Sequence, residues 1–251
     1  SCDVYFYELS LKVGIERIAA MAKRFGLGAP MGIDLPGERP GLIPTREWKL
    51  KNIGEPWQLG ETLVSAIGQG FVSTTPLQLA VMTARLANGG KSVVPRLTRL
   101  AMEVAEGEQG VVTAPDIGIP AKDLLVVKTG MDMVTNSSRG TARRARIKEE
   151  GWEMAGKTGT SQVRRITMAE RAAGLLKDKD VPWRRRDHAL FVAFAPVQAP
   201  RYACAVVVEH GGGGSKVAAP IARDILIETQ RRDPSGTPPI GLLAGDPAKR
   251  S

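Results

Sequence analysis

The stretch Met154–Val163 brings a lysine, several hydroxyl side chains and glycine together within ten residues. Lys157 supplies a compact positive charge, and the hydroxyl groups of Thr158 and Thr160 can donate hydrogen bonds to an anion. Gly159 lacks a side chain, so a ligand can approach the backbone closely there. These residue types predict a site for a carboxylate, or for an oxyanion that forms during a reaction.

The tripeptide Lys-Thr-Gly occurs twice, and its surroundings separate the two copies. Residues 128–130 run on into apolar residues at helical spacing, which predicts the surface of a helix. Residues 157–159 lie among small, polar and β-branched residues, which predicts a strand whose edge a ligand can reach. We therefore expect the second copy to carry the function. The alternative for that copy is a glycine-rich turn with a solvated lysine.

The elements that must position this stretch are helices and a short antiparallel sheet. Four segments are predicted to be helical, namely residues 4–25, 76–86, 122–134 and 218–229. The second of them begins with a capping box in which Thr75 precedes Pro76 and Gln78. Polar residues at the N-terminal ends and glycines at the C-terminal ends support these helices.

Two runs rich in β-forming residues follow the Lys157 stretch. Residues 188–196 and 202–208 are joined by a short turn with proline, which predicts an antiparallel hairpin. With the strand around Lys157 they supply three neighbouring strands of one sheet. The pattern therefore supports an α+β fold that contains helices and an antiparallel sheet.

Composition narrows the classes of partner. The 251 residues can bury a substantial core, and 43% hydrophobic and 24% charged residues are typical of a globular protein. A net charge of +9 favours anionic partners. Aromatic residues make up only 5% and are not interleaved with the basic ones, so no nucleic-acid partner is expected.

Cysteine and histidine are scarce. Cys2 and Cys204 cannot define a disulfide framework. His188 and His210 do not form a cluster at zinc spacing, and both flank strand ends, so we interpret them as structural. We expect no metal site and no cofactor in this chain.

Several motifs in order resemble the serine penicillin-recognising enzymes, whose signature is Ser-x-x-Lys, Ser-x-Asn and Lys-Thr-Gly. Ser1-Cys2-Asp3 is similar to the second element, with aspartate in place of asparagine, and residues 157–159 are similar to the third. Other stretches resemble the class B penicillin-binding proteins of the cell-elongation type, penicillin-binding protein 2. They are residues 66–70, 75–80, 140–142, 188–192 with 195–196, and 209–211.

The resemblance implies the fold shared by penicillin-binding proteins and serine β-lactamases, and it implies acyl transfer at the D-alanyl-D-alanine end of a peptidoglycan stem peptide. The implied catalytic residues are Ser1, which relays protons, Lys157, which sets the electrostatics, and Thr160, whose backbone N–H contributes to the oxyanion hole.

Substrate binding is assigned by the same resemblance. Asp3 would contact the substrate backbone, and the hydroxyls of Thr158 and Thr160 would bind the substrate carboxylate, with Gly159 between them. An ionised aspartate accepts hydrogen bonds but cannot donate as an amide does. The alternative for Ser1 and Asp3 is that they only begin a helix.

The implied partners are peptidoglycan stem peptides, lipid-linked precursor strands, β-lactams and membrane proteins of the elongation machinery. The implied location is the periplasmic side of an inner membrane, with the anchor outside this chain. A serine β-lactamase, a non-catalytic β-lactam sensor or binding module, and a nucleic-acid-binding protein remain as alternatives. A nucleic-acid-binding protein would show a steep salt dependence of affinity and no response to β-lactams.

The first signature element is missing from these 251 residues, since no serine is followed three positions later by lysine. In the family it precedes the Ser-x-Asn element, so we expect the nucleophile to lie before Ser1 in a longer protein and this chain alone not to be acylated. The expected organisation is a partial transpeptidase domain over residues 1–231, with a basic insertion over 164–187. A tail rich in proline and glycine would then cover residues 232–251.

Overall fold

The computed structural model describes residues 2–33, 35–97, 115–164 and 181–233. In this part of the chain the helices are α1 (Asp3–Val13), α2 (Ile15–Arg24), α3 (Arg46–Ile53), α4 (Leu59–Ala66), α5 (Pro76–Ala87), α6 (Ala121–Asn136) and α7 (Ala218–Arg232). The strands are β1 (Ala155–Ser161), β2 (His188–Ala195) and β3 (Tyr202–Val208).

The described strands form one antiparallel sheet in the order β1-β2-β3. Gly159 lies opposite Leu190 across the first pair, and Phe191 lies opposite Val206 across the second. The predicted hairpin and its pairing with the Lys157 strand are confirmed, and so is the α+β class. The order places β1 at one edge of the described sheet.

Alternate residues of β2 face two different apolar layers, as the period of two along a strand requires. Ala189, Phe191 and Ala193 belong to a core cluster that includes α7. Phe194 belongs to a second cluster, which includes residues of α5 and α6. The β-sheet is therefore covered by helices on both faces, and burial on both sides holds its middle strand in one register.

The start of α5 follows the prediction in detail. The Thr75 hydroxyl accepts a hydrogen bond of 3.2 Å from the Gln78 N–H, and the Gln78 carboxamide accepts one of 3.1 Å from the Thr75 N–H. The Gln78 amide nitrogen also donates to the Ala29 and Pro40 carbonyls, at 2.7 and 2.8 Å. The capping box therefore also anchors the irregular loop that precedes α3.

The predicted continuous helix over residues 4–25 is wrong. The chain forms α1 and α2, which are separated at Gly14, where φ is +81°. Glycine adopts this left-handed region without the steric cost that other residues meet. Apolar residues continue on both sides of Gly14, which concealed the break.

Helices α3 and α4 were not predicted from the sequence. Lys49, which is 2% exposed, stabilises the connection between these two helices. Its ammonium lies 2.6 Å from the Glu61 carboxylate and donates to the Pro56 carbonyl at 3.0 Å. The Glu61 carboxylate also accepts from the Gln58 N–H at 2.6 Å, at the start of α4. Local signals for both helices existed, since Thr45 caps α3 and Glu61 closes the first turn of α4.

Most of the predicted basic insertion and all but two residues of the predicted tail lie outside the described residues. The described part of the insertion, residue 164 and residues 181–187, includes a short 3-10 turn at Trp183–Arg185. The boundaries of the insertion and of the tail therefore stay predictions.

Gly156 offers a test of how tightly β1 packs. A Cβ at Gly156 would collide with the ring of Phe191 and would lie 2.6 Å from the Val192 carbonyl oxygen. We expect Gly156→Ala to lower the free energy of unfolding by about 1–3 kcal/mol, because a packed core does not absorb an added methyl group without strain. Thermal and denaturant unfolding of the protein measures this change.

The matched control is Gly130→Ala on α6, where an added Cβ meets no atom within 4 Å. Alanine is favoured over glycine inside a helix, so this variant should gain about 0.5–1 kcal/mol. Equal effects of the two substitutions would contradict the packing that we describe for β1.

Candidate active site

The outer edge of β1 is the central feature of the site. Successive residues of a strand point their N–H and C=O groups to opposite sides. The Thr160 carbonyl points away from β2, since it accepts a hydrogen bond from the Gln69 side chain. Thr158 shares this orientation, being two residues earlier. The backbone groups of both threonines are therefore turned toward the side where a ligand can pair with β1.

Close packing behind this edge explains the glycines of the strand. A Cβ on Gly159 would lie 3.2 Å from the Leu190 Cβ. A Cβ on Gly214 would lie 2.5 Å from the Gly159 carbonyl oxygen. The turn that leads into α7 therefore rests directly on β1, and glycine at both positions allows this approach.

Lys157 extends from β1 toward the N-terminal end of α1. Its ammonium donates a hydrogen bond of 2.8 Å to the Thr158 carbonyl. Desolvation lowers the pKa of Lys157 below its ordinary value, and Coulombic attraction to the Asp3 carboxylate opposes that change. Asp3 lies in the first turn of α1, so the pKa of Lys157 reports that α1 borders the site.

The structure brings together most of the residues that the sequence analysis assigned to the site. Lys157 and Thr160 are exposed, and Thr158 and Gly159 are half-buried, along one strand. Asp3 is exposed at the start of α1, across from Lys157. Ser1 lies outside the described residues. An exposed cation and two hydroxyls on an open strand edge can bind a carboxylate.

The first Lys-Thr-Gly copy lies on α6, as predicted. The Lys128 ammonium donates to the Ala87 carbonyl at the end of α5, at 3.0 Å. Thr129 and Gly130 are exposed on the helix surface. The same tripeptide therefore has a structural position here and an open strand edge at residues 157–159.

The two histidines contact each other beside the start of β2. The His210 N–H donates to His188 Nδ1 at 2.9 Å, and His210 Nδ1 lies 2.9 Å from the Arg186 carbonyl oxygen. His210 adopts a positive φ of 53°. These contacts fix the turn after β3, which supports the structural interpretation.

Both cysteines are free thiols. Burial raises the pKa of Cys204 to about 11, so its thiol stays protonated at neutral pH.

Within residues 2–33, 35–97, 115–164 and 181–233, no three acidic, histidine or cysteine side chains are grouped so that they could hold a metal ion. None of the helices in that same part has the length and apolar character needed to cross a membrane.

The sequence analysis gave no role to Gln69, yet its side chain reaches β1. The Gln69 carboxamide donates to the Thr160 carbonyl at 2.8 Å and accepts from the Gln162 N–H at 3.4 Å. The only signal in the sequence was an amide residue between Gly68 and Gly70 in a stretch that carried the resemblance. Gln69 and Thr160 are 91 residues apart in the sequence, so no local pattern predicts their contact.

The electrostatic link between Asp3 and Lys157 can be measured. Asp3→Asn removes the carboxylate that opposes desolvation, so the pKa of Lys157 should fall further below its ordinary value. An NMR titration of the Lys157 side chain measures the shift. Asp224→Asn on α7 is the control, because its carboxylate bonds Arg223 and should leave Lys157 unchanged. An unaltered Lys157 titration in Asp3→Asn would contradict the proposed proximity.

Comparisons with known proteins identify the family to which the chain belongs. Residues 1–227 match the family described as penicillin binding protein transpeptidase domain. The chain is 40% identical to a peptidoglycan D,D-transpeptidase MrdA of Haemophilus influenzae, covering 90% of this chain and 34% of that protein. It is 36% identical to the Escherichia coli protein of the same name, covering 90% of this chain and 35% of that protein. The chain thus spans about a third of the length of these relatives.

Solved structures of penicillin-binding proteins are also similar to this chain. Pseudomonas aeruginosa penicillin-binding protein 2, in complex with WCK 5153, matches with a TM-score of 0.74 and 38% identity, over 95% of this chain and 49% of that one. Helicobacter pylori penicillin-binding protein 2, in complex with MreC, matches with a TM-score of 0.75 and 32% identity, over 92% of this chain and 38% of that one. The chain belongs to the penicillin-binding protein transpeptidase family, among the class B proteins of the penicillin-binding protein 2 type.

Proposed function

We propose that the protein containing this chain is a peptidoglycan D,D-transpeptidase of cell-wall synthesis. The observation that carries the proposal is the outer edge of β1, where Lys157, Thr158 and Thr160 lie along one strand beside Asp3. This arrangement suits a peptide that ends in a carboxylate, because extended backbone pairs with a strand edge while the charged end meets a cation and hydroxyls.

The reaction is an acyl transfer in two steps. A serine hydroxyl attacks the carbonyl carbon of the penultimate D-alanine, and the terminal D-alanine leaves after its nitrogen gains a proton. An amine of a neighbouring strand then attacks the ester, which releases the serine and forms the cross-link. The nucleophilic serine and its lysine are assigned to a part of the protein outside this chain, since no Ser-x-x-Lys occurs in the 251 residues.

Residues of this chain bind and polarise the donor peptide. The Thr158 and Thr160 hydroxyls hold its carboxylate, with Gly159 leaving the backbone open between them. The Thr160 N–H donates to the carbonyl oxygen as that oxygen becomes an anion, which a preorganised donor stabilises. The Lys157 ammonium supplies positive potential, and its lowered pKa follows from the partly desolvated position that also strengthens its attraction for an anion.

The start of α1 completes the site. Asp3 accepts hydrogen bonds from the substrate backbone, and Ser1 relays protons between the nucleophile's lysine and the amine that leaves or attacks. Asp3 lies near enough to influence Lys157. The partial transpeptidase domain is assigned to residues 1–231.

Relatives indicate where such a protein works and with which partners. The Helicobacter pylori structure contains MreC, and another similar structure is described as a peptidoglycan synthase complex that coordinates polymerization and crosslinking. We assign this protein to the periplasmic face of the inner membrane, with stem peptides, lipid-linked precursor strands, β-lactams and elongation-machinery membrane proteins as partners.

Labelling with a fluorescent penicillin, followed by intact mass measurement, tests the proposal. The longer protein should gain one persistent penicilloyl group, and this chain alone should gain none. Rapid hydrolysis of the adduct would instead identify a β-lactamase. Labelling of this chain would place a nucleophile within it, and an unlabelled longer protein would overturn the enzyme assignment.

The two lysines of the repeated tripeptide give a matched pair of variants in that longer protein. Lys157→Ala should lower the rate of labelling by about 10²–10³, since it removes positive charge beside the developing anion. Lys128→Ala should leave the rate unchanged, because Lys128 contacts the end of α5 and not the site. Equal rates in the two variants would contradict the role of Lys157.

A further inference from the structure

A single side chain closes one end of the open edge of β1. The Gln69 amide nitrogen donates to the Thr160 carbonyl at 2.8 Å, and its oxygen accepts from the Gln162 N–H at 3.4 Å. These two backbone groups point outward from the sheet, where no strand of the described chain pairs with β1. The carboxamide therefore occupies the position that a neighbouring strand would otherwise take.

The turn that presents Gln69 is itself fixed by backbone contacts. The Gln69 N–H donates to the Val64 carbonyl at 3.0 Å, and the Gly68 N–H donates to the Ser65 carbonyl at 3.0 Å. Gly68 and Gly70 have φ of +73° and +71°. Because both glycines adopt the left-handed region, the chain turns sharply after α4 and directs the carboxamide toward β1.

This turn links the two sides of the candidate site. It follows α4, which packs on α1, and α1 carries Asp3 at its first turn. On the other side, the hydrogen bonds of Gln69 end on β1, which carries Lys157 and Thr160. The side chain thus bridges from the helices that bear Asp3 to the strand that bears the cation.

Thr160 needs such a support. It lies next to the last residue of β1, and Gly159, which precedes it, restricts the backbone less than any other residue type. Its C=O is held by Gln69, and its N–H points to the same side of the strand. Without the carboxamide, the Thr160 carbonyl would lose this hydrogen bond, and the direction of the Thr160 N–H would be less well defined.

We propose that Gln69 is a positioning residue, which acts through Thr160 by fixing the strand segment whose N–H stabilises the oxyanion. The inference rests on the transpeptidase function proposed above. Gln69 bonds Thr160 and Gln162, so it acts on the acyl-transfer step through the backbone and without a role in proton transfer. Its removal should therefore slow acylation while initial binding of the β-lactam changes little.

The test uses the longer protein and a fluorescent penicillin in stopped-flow kinetics, which separate the dissociation constant of the first complex from the acylation rate constant. Gln69→Leu keeps the size of the side chain and removes both hydrogen bonds. Gln69→Asn keeps the carboxamide but is one methylene too short to span the gap. Gln198→Leu, at an exposed glutamine in the turn between β2 and β3, is the matched control.

Gln69→Leu and Gln69→Asn should each lower the acylation rate constant about three- to tenfold, the range expected for losing the hydrogen bond that holds the Thr160 carbonyl. The dissociation constant and the melting temperature should stay near those of the wild type, and Gln198→Leu should match the wild type throughout. A wild-type acylation rate constant in Gln69→Leu or in Gln69→Asn overturns the inference. A fall explained by a lower melting temperature also overturns it.

The same experiment separates the inference from the function on which it rests. If the wild-type longer protein forms no penicilloyl adduct, the transpeptidase assignment fails and the role of Gln69 in acylation fails with it. If the wild type is acylated and both Gln69 variants keep its rate, only the role of Gln69 fails.

Discussion

Among the described strands β1 pairs only with β2, and the candidate site depends on this one-sided pairing. The paired side gives β1 its register, and that register fixes which backbone groups face outward. Thr158 and Thr160 face outward for this reason, and Lys157 alternates with them. A shift by one residue would exchange the two sets of backbone groups and remove the site.

The burial of β2 side chains on both faces of the sheet holds the strands in this register. Phe191 is buried in the layer that includes α7, and Phe194 is buried in the layer that includes α5 and α6. A slipped β2 would move both rings to the wrong face, at a cost of several buried side chains. The open edge of β1 can therefore remain exposed without loosening the strand, because its order comes from the sheet behind it.

Much of this arrangement could be predicted from local sequence. The hairpin, the Lys157 strand, the capping box at Thr75 and the helical position of Lys128 all follow from patterns within a few residues. The break at Gly14 was missed because apolar spacing continues across it.

Contacts between distant segments could not be predicted in this way. The bridge from Gln69 to Thr160 and the contact of Gly214 with Gly159 depend on how separate elements pack. Gln69 and Gly214 lie in glycine-containing turns whose local sequence indicates a change of direction and nothing about its target. The proximity of Asp3 to Lys157 was implied only by the family resemblance.

The open edge of β1 also bears on how molecules of this protein avoid adhering to one another. An exposed strand edge can add a strand from another molecule, and proteins oppose this with short edges, charge and covering side chains. β1 has seven residues, with a lysine at the third position and glycines at the second and fifth. Gln69 covers its last outward groups. The short length, the charge and the covering side chain of this edge thus disfavour aggregation through it.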